Sequence, residues 1–455
     1  MSAEPAGRML GDWAAALDWN KVPADIATKV LDHVVDSVGV MYSGLDVPEC
    51  RAARETAAQW GAGDEATVVG AKAPMPAPSA AFVNGLNGRI HTYDDTYEPG
   101  TVHPGSPVIA TSLALGEKHA IGGAEFLCAV LAGYEVATRV AAAVSPAHYE
   151  FGFHNTGTCN AFGTAVSGAR VLKLDGLAIA ETMGLASATA AGLRQHQIDG
   201  SMLDSAFHGA RAAQSGVMVA QLRASGVKGP PAILEGPMGF CHIMSPQRDL
   251  SKLTADLGSR FEFEKMTIKP YPTCRFVHGP IEAAIETKRR CGIDPAKIAS
   301  VTISAYRQSM SVSDRPEIRT PFDAIVSHQY AVARALLHEN VDLADMSGAA
   351  LEDPVVLALM RKVKVVHDEE LEKIFPKCWP HRLTIAMDDG TVHTGFSEFP
   401  PGRVTPIPSA RVDEKFLKQA TPFLGEERAV KALAALRGIA GTGDVREAGR
   451  LLRPL

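Results

Sequence analysis

The stretch HRLTIAMDDGTVHTGFSEF, residues 381–399, reads as a β-hairpin. Its turn falls at Asp389-Gly390, a dipeptide that favours the positive φ angles of a type I′ turn. Upstream, IASVTISAY (298–306) and VKVVHDEEL (363–371) are two further strands, short and rich in β-branched residues. The helical stretches IEAAIETKRR (281–290) and HQYAVARALLH (328–338) lie among them. Strands and helices mixed in this way make an α+β domain, whose bounds we set at 259–404. The Pro-rich FPPGRVTPIPSA (399–410) leads out of it, and the chain from about residue 411 returns to helix.

Before residue 259 the pattern is helical. Pro23 opens PADIATKVLDHVVDSVGVMYSG, whose apolar residues recur at helical spacing until Gly44. SAAFVNGLNGRIHTYDD (79–95), SPVIATSLALGEKHA (106–120) and GAEFLCAVLAGYEVATRVAAAV (123–144) follow. NAFGTAVSGARVLKL (160–174), LAIAETMGLASATAAGL (177–193) and FHGARAAQSGVMVAQLRASG (207–226) continue the series. Glycine costs about 1 kcal/mol relative to alanine inside a helix, so its abundance here signals close helix packing. The fold class is therefore mainly α: a large all-helical domain, residues 1–258 completed by 405–455, and a smaller α+β domain.

Composition narrows the function. With 455 residues, 46% hydrophobic and 21% charged, the chain has the make-up of an ordinary globular protein. A formal charge of −6 without long runs of one sign argues against nucleic acid or an anionic membrane as partner. The first residues lack the basic start and apolar core of a signal peptide, and no uninterrupted apolar stretch of about 18 residues occurs. The seven cysteines are scattered and never spaced C-x-x-C, so neither a zinc site nor a disulfide framework is expected, and a cytoplasmic setting fits. Phosphate-loop, dinucleotide, zinc-protease and serine-hydrolase motifs are absent, as is iron–sulfur spacing. No cofactor and no metal are expected.

Three polar clusters remain. His91, Thr92, Tyr93, Asp94, Asp95 and Thr96, followed by His103, crowd one loop between apolar helices; a carboxylate beside an imidazole orients it and raises its basicity, though such residues also cap helices. His154 stands between Gly152 and Gly157 ahead of a helix, where free N–H groups attract anions. Lys269, Cys274, Arg275 and His278 lie in a Pro-stiffened segment at the domain boundary, where a lysine and an arginine can clamp a carboxylate. Lesser candidates are Arg194, Gln195, His196 and Gln197, then Phe207-His208, and Ser327, His328, Gln329 and Tyr330; for these, structural hydrogen bonding is the competing explanation.

In their order and spacing, the blocks DDTYEPGTVHPGSPVIATSLALGE, GFHNTGTCNAFGTA, HGARAAQSGVMVAQLRASGVKGPPAILEGPMGF, KPYPTCRFVHGPIEAA, SHQYAVARALL and WPHRLTIAMDDGTVHTGFSEFPPGRVTP resemble the MmgE/PrpD family, which includes 2-methylcitrate dehydratase, cis-aconitate decarboxylase and iminodisuccinate epimerase. The resemblance implies a helical domain with an α+β lid, an active site in the cleft between them, and a homodimer. It places site residues at Asp94, Asp95, Thr96, His103, His154, Lys269 and Tyr330; together with the cluster reading, we expect catalytic roles for Asp94, His103, His154, Lys269 and Tyr330, and substrate binding by Asp95, Thr96, Arg194, His208 and Arg275. His103 or His154 would be the base, Asp94 would orient His103, and Tyr330 or the other histidine would donate a proton to a leaving hydroxyl. The expected reaction is cofactor-free acid–base chemistry α to a carboxylate of a small di- or tricarboxylate. Dehydration comes first, epimerisation second and decarboxylation third, with carboxylate binding without catalysis as the alternative from another class. Two positions depart from the family pattern: Thr92 stands in place of an aspartate and Ser205 in place of a lysine.

Overall fold

The computed structural model describes residues 4–455, apart from the side chains of Met202 and Asp204. One hydrophobic core runs from Leu10 to Ile268 and is rejoined by Val412 to Leu452; a second gathers residues from Tyr271 to Ile385. The molecule is thus a mainly helical body with a smaller sheet-containing region.

The helical body is centred on Gly123–Val144, all but two of whose residues are buried. It is long and apolar enough to cross a membrane by length and composition, yet its apolar window is wholly enclosed by the protein. Its two central charges satisfy each other: Arg139 Nε donates to Glu135 Oε1 at 2.6 Å. Packed across it is Asn160–Val171, and the backbones meet at glycines. A methyl group on Gly163 would lie 2.6 Å from the Gly133 carbonyl oxygen. Around this pair stand Ala24–Ser43, Ala77–Arg89, Gly105–Lys118 and Met202–Ala224. The C-terminal helices Ser409–Leu424 and Glu426–Arg437 return to this body: Phe416 packs on Tyr42, and Lys415 pairs with the buried Asp36 at 2.7 Å.

The smaller region holds a four-stranded sheet. Its strands are β3 (Ile298–Ala305), β4 (Val363–His367), β5 (His381–Met387) and β6 (Val392–Ser397), in the order β4-β3-β5-β6. β3 runs parallel to β4 and antiparallel to β5. The sequence VKVVHDEEL is strand only as far as His367, because Asp368 caps a short helix by accepting from the amides of Glu370 and Leu371. The β5–β6 turn is not type I′. Among its residues only Gly390 has positive φ, 86°, while the Gly390 amide reaches the Met387 carbonyl and Asp389 Oδ1 accepts from the Thr391 amide at 2.8 Å. An Asp side chain that closes its own turn needs positive φ at one position rather than two. Helices Arg275–Cys291 and His328–His338 cover the sheet.

Two short strands, β1 (Thr96–Tyr97) and β2 (Met266–Thr267), pair antiparallel with Thr96 opposite Thr267. This ladder ties the loop after Ala77–Arg89 to the segment that enters the sheet region, and so fixes the position of the cleft.

Candidate active site

Where the two regions meet lies a mostly enclosed cavity of ≈ 60 Å³. Arg89, Thr92, Thr96, His103, His154, His196 and Ser205 line it from the helical body; Cys274, Arg275, Phe276 and Trp379 line it from the other side. The β1–β2 ladder places the first and third sequence clusters together here. The second arrives through a backbone exchange: the His154 amide donates to the Gly192 carbonyl and the Arg194 amide to the Gly152 carbonyl.

His103 is held for proton transfer. Its Nδ1 lies 2.7 Å from the Asp95 carbonyl oxygen and 2.9 Å from Thr96 Oγ1. A carbonyl only accepts, so Nδ1 carries the hydrogen and the neutral ring keeps its lone pair on Nε2. Burial, then the nearby Arg89 and Lys269 cations, hold His103 well below the usual histidine range; at neutral pH it is a free base. The orienting group is the Asp95 backbone, not the Asp94 carboxylate. Asp94 instead accepts from Arg89 Nη1 at 2.7 Å and Ser106 Oγ at 3.1 Å. Burial pushes it above the ordinary carboxylate range, with Arg89 opposing.

Asp95 does not reach the cavity as a substrate ligand. Its carboxylate is fully buried and accepts from His33 Nδ1 and Tyr134 Oη, each at 2.6 Å, and from the Gly105 amide at 2.9 Å. It therefore shapes the loop that carries Thr96 and His103. Lys269 is also fully buried. It lies beneath Thr92, donating to that residue's carbonyl at 2.5 Å, and burial lowers it to about 7 despite the favourable charge of Asp94. Thr92 itself sits at φ 53°, an unfavourable left-handed conformation for a β-branched residue. The Lys269 bond and the Thr92 amide's bond to the Arg89 carbonyl, 2.9 Å, hold it there.

Arg275 lines the cavity from the first turn of its helix, but its charge is already met: Nη2 lies 2.7 Å from Glu98 Oε1 and also donates to the Pro401 carbonyl. Arg194 is spent elsewhere. Its guanidinium lies 3.7 Å over the Tyr149 ring and donates to the Tyr149 carbonyl and to Gln197, so it braces the loop before His196.

Tyr330 is away from the cavity, in the core of the sheet region. Its hydroxyl donates toward the carbonyls of Asp345 and Ala350, at 2.6 and 3.0 Å. It is not the proton donor expected from the sequence. The S-x-Q-Y segment is a helix start, with Ser327 Oγ accepting from the Tyr330 amide. His328 is likewise internal, sharing Ser309 Oγ with His381.

His154 belongs to a cluster of three histidines. Its Nδ1 lies 2.8 Å from His208 Nδ1, and the His196 ring is 4.8 Å from its own, centroid to centroid. Burial first, then the neighbouring His196, His208 and Arg89, hold His154 well below the ordinary histidine range. Sequence reasoning singled out each histidine but not their meeting. It also missed Arg89 and Glu98, the partners of Asp94 and Arg275; the only cue was that each adjoins the HTYDDTY run.

The fold and cavity define a two-region, mainly helical enzyme scaffold with a histidine- and arginine-lined cleft. Residues 8–253 match the MmgE/PrpD N-terminal domain and residues 271–437 the MmgE/PrpD C-terminal domain, so the chain belongs to the MmgE/PrpD family. Similar proteins include a cis-aconitate decarboxylase-like protein of Aspergillus oryzae, 24% identical over 96% of this chain and 95% of its own length. A cis-aconitate decarboxylase of Aspergillus terreus is 26% identical over 91% of this chain and 89% of its own. The cis-aconitate decarboxylase of Mus musculus is 23% identical over 92% and 88%. Membership associates the chain with acid–base chemistry on small carboxylates.

Proposed function

We propose that this chain is a lyase that acts α to a carboxylate of a small di- or tricarboxylate, with His103 as the group that moves the proton. The observation that carries the reading is the His103 ring, tied at Nδ1 to the Asp95 carbonyl in an enclosed cavity. Burial and the Arg89 and Lys269 cations keep the ring neutral when the cavity holds no anion. An arriving carboxylate opposes that repulsion and favours a protonated ring. The charged ring then delivers its proton to an alkene carbon, while the electrons of the C–CO₂ bond shift to form a new double bond and CO₂ departs. Donors around the cavity stabilise the negative charge that builds up on the remaining carboxylate.

Decarboxylation is the outcome this reading favours. Tyr330, one of the two donors expected for dehydration, has its hydroxyl bonded to backbone carbonyls away from the cavity, and the relatives carry decarboxylase or decarboxylase-like names. Dehydration is the second reading, since the same base could remove an α-proton. Incubation with cis-aconitate, 2-methylcitrate, citrate and iminodisuccinate in D₂O, followed by NMR, separates them: CO₂ loss, water loss, or deuterium exchange with inversion. His103→Ala should lower turnover by at least about two decades, as removal of one proton-transfer group does, with an unchanged circular dichroism spectrum. Near-wild-type turnover in that variant would remove His103 from the mechanism.

A further inference from the structure

We propose that Arg89 holds a carboxylate of the substrate through the Nε–Nη2 edge of its guanidinium, the edge that Asp94 leaves unused. Arg89 is buried and lines the cavity. Its bond to Asp94 runs through Nη1 alone, at 2.7 Å. Nη2 reaches only Ser205 Oγ, another residue of the cavity wall, at 3.4 Å. That is beyond the usual range for an N–H···O bond. Nε is enclosed and donates to nothing among the described residues. Nε–H and Nη2–H project side by side from the planar guanidinium, and that fork matches the two oxygens of a carboxylate.

A purely structural role leaves this edge unexplained. Arg89 ends the helix Ala77–Arg89, where a cation is favoured by the helix dipole, and it neutralises the buried Asp94. Both roles are met by the charge and by Nη1. A buried donor without an acceptor costs stability, so its persistence calls for a reason. A cavity that fills with an anion supplies one.

The fork is also fixed in place. Asp94, which holds Nη1, is itself held by Ser106 Oγ at 3.1 Å. The stem of Arg89 packs toward the long helix Met202–Ala224: a methyl group on Gly209 would lie 3.8 Å from its Cβ and Cγ. Lys269 acts on Asp94 as well as Arg89 does. With Lys269 protonated, two cations share one carboxylate, and the excess positive charge awaits an anion. Arg89 is further one of the cations that hold His103 and His154 below the histidine range. A carboxylate seated on Arg89 cancels that repulsion and eases protonation of His103. The choice of a carboxylate as the ligand rests on the proposed function; the unused edge rests on geometry alone.

The test uses the full chain and tricarballylate, a tricarboxylate without the hydroxyl or double bond that loss of water or CO₂ would use. Calorimetry should show binding to the wild type. Arg89→Lys keeps a charge beside Asp94 but lacks the fork, and should weaken that binding by about 10–100-fold. Tricarballylate should also move the ¹⁵N–¹H resonance of Arg89 Nε, identified by its loss in Arg89→Lys; a residue that only supports the fold would leave it in place. No binding to the wild type, equal affinity in the folded variant, or an unmoved Nε resonance at saturation would overturn the proposal. If Arg89→Lys fails to fold, a structure of the wild type with tricarballylate decides. Carboxylate oxygens within about 3.2 Å of both Nε and Nη2 sustain the proposal, and any other placement overturns it. Tricarballylate held by Arg89 in a chain that turns over none of the candidate acids would keep this site and discard the proposed function. Turnover with the same kcat/KM in Arg89→Lys would do the reverse.

Discussion

At the residue scale, Tyr330 and His103 illustrate what decides whether a polar side chain is available for chemistry. Both are buried. The Tyr330 hydroxyl has its one hydrogen committed to backbone carbonyls, whereas His103 is bound on one nitrogen and keeps the other. Tyr330→Phe should therefore cost stability, about 1 kcal/mol for each net bond lost, and leave kcat within a few-fold of wild type. Thermal unfolding and steady-state assays check this; a loss of two decades in kcat without unfolding would return Tyr330 to the mechanism. The same distinction explains what the sequence could not disclose. Types and spacing picked out Asp95, Arg194 and Tyr330 beside His103 and His154. A carboxylate that holds a loop and one that holds a ligand look alike until their partners are known.

At the element scale, the helices were legible because apolar spacing and stop signals agree. Pro23 precedes Ala24–Ser43 and Gly44 follows it. The hairpin was legible too, but its turn type was not, because Asp389 closes the turn with its side chain. The β1–β2 ladder escaped notice: two residues on each side carry no periodicity, yet they bring residue 96 to residue 267. The abundance of glycine did foretell close packing, and it supplies a test. In Gly163→Ala the added methyl would meet the Gly133 carbonyl at 2.6 Å and Ala137 Cβ at 2.7 Å. Helices fixed on both sides cannot simply separate, so a loss of about 1–3 kcal/mol is expected from overpacking. Denaturant melts measure it, and an unchanged midpoint would mean that this crossing has slack.

At the scale of the whole molecule, buried neutral histidines make the fold acid-sensitive. Burial lowers His278 and His328 well below the usual range and His381 to about 3 from an ordinary 6.5. Above pH 6.5 neither the folded nor the unfolded chain protonates these groups, so they leave stability unchanged. As pH falls below 6.5 the unfolded chain takes up protons that the folded chain refuses, and stability is lost. Each such histidine contributes a slope of up to about 1.4 kcal/mol per pH unit. For His381 the loss continues until pH falls to about 3. Asp36 and Asp94, raised by burial, act in the opposite direction, so the clean measurement is a difference. His381→Gln should flatten the stability–pH curve between pH 6 and 5 by about one histidine's slope, read from unfolding midpoints at each pH. An unaltered slope would mean that His381 titrates normally in the folded chain.

The cavity's two walls belong to different cores, with Thr96 and His103 on one side and Phe276 and Trp379 on the other. Its ≈ 60 Å³ is far below the roughly 300–1,000 Å³ of ordinary small-molecule pockets. Under the proposed function, a small di- or tricarboxylate does not fit while the walls stand this close. Passage of a guest then requires the two walls to part before the chemistry behind them can begin.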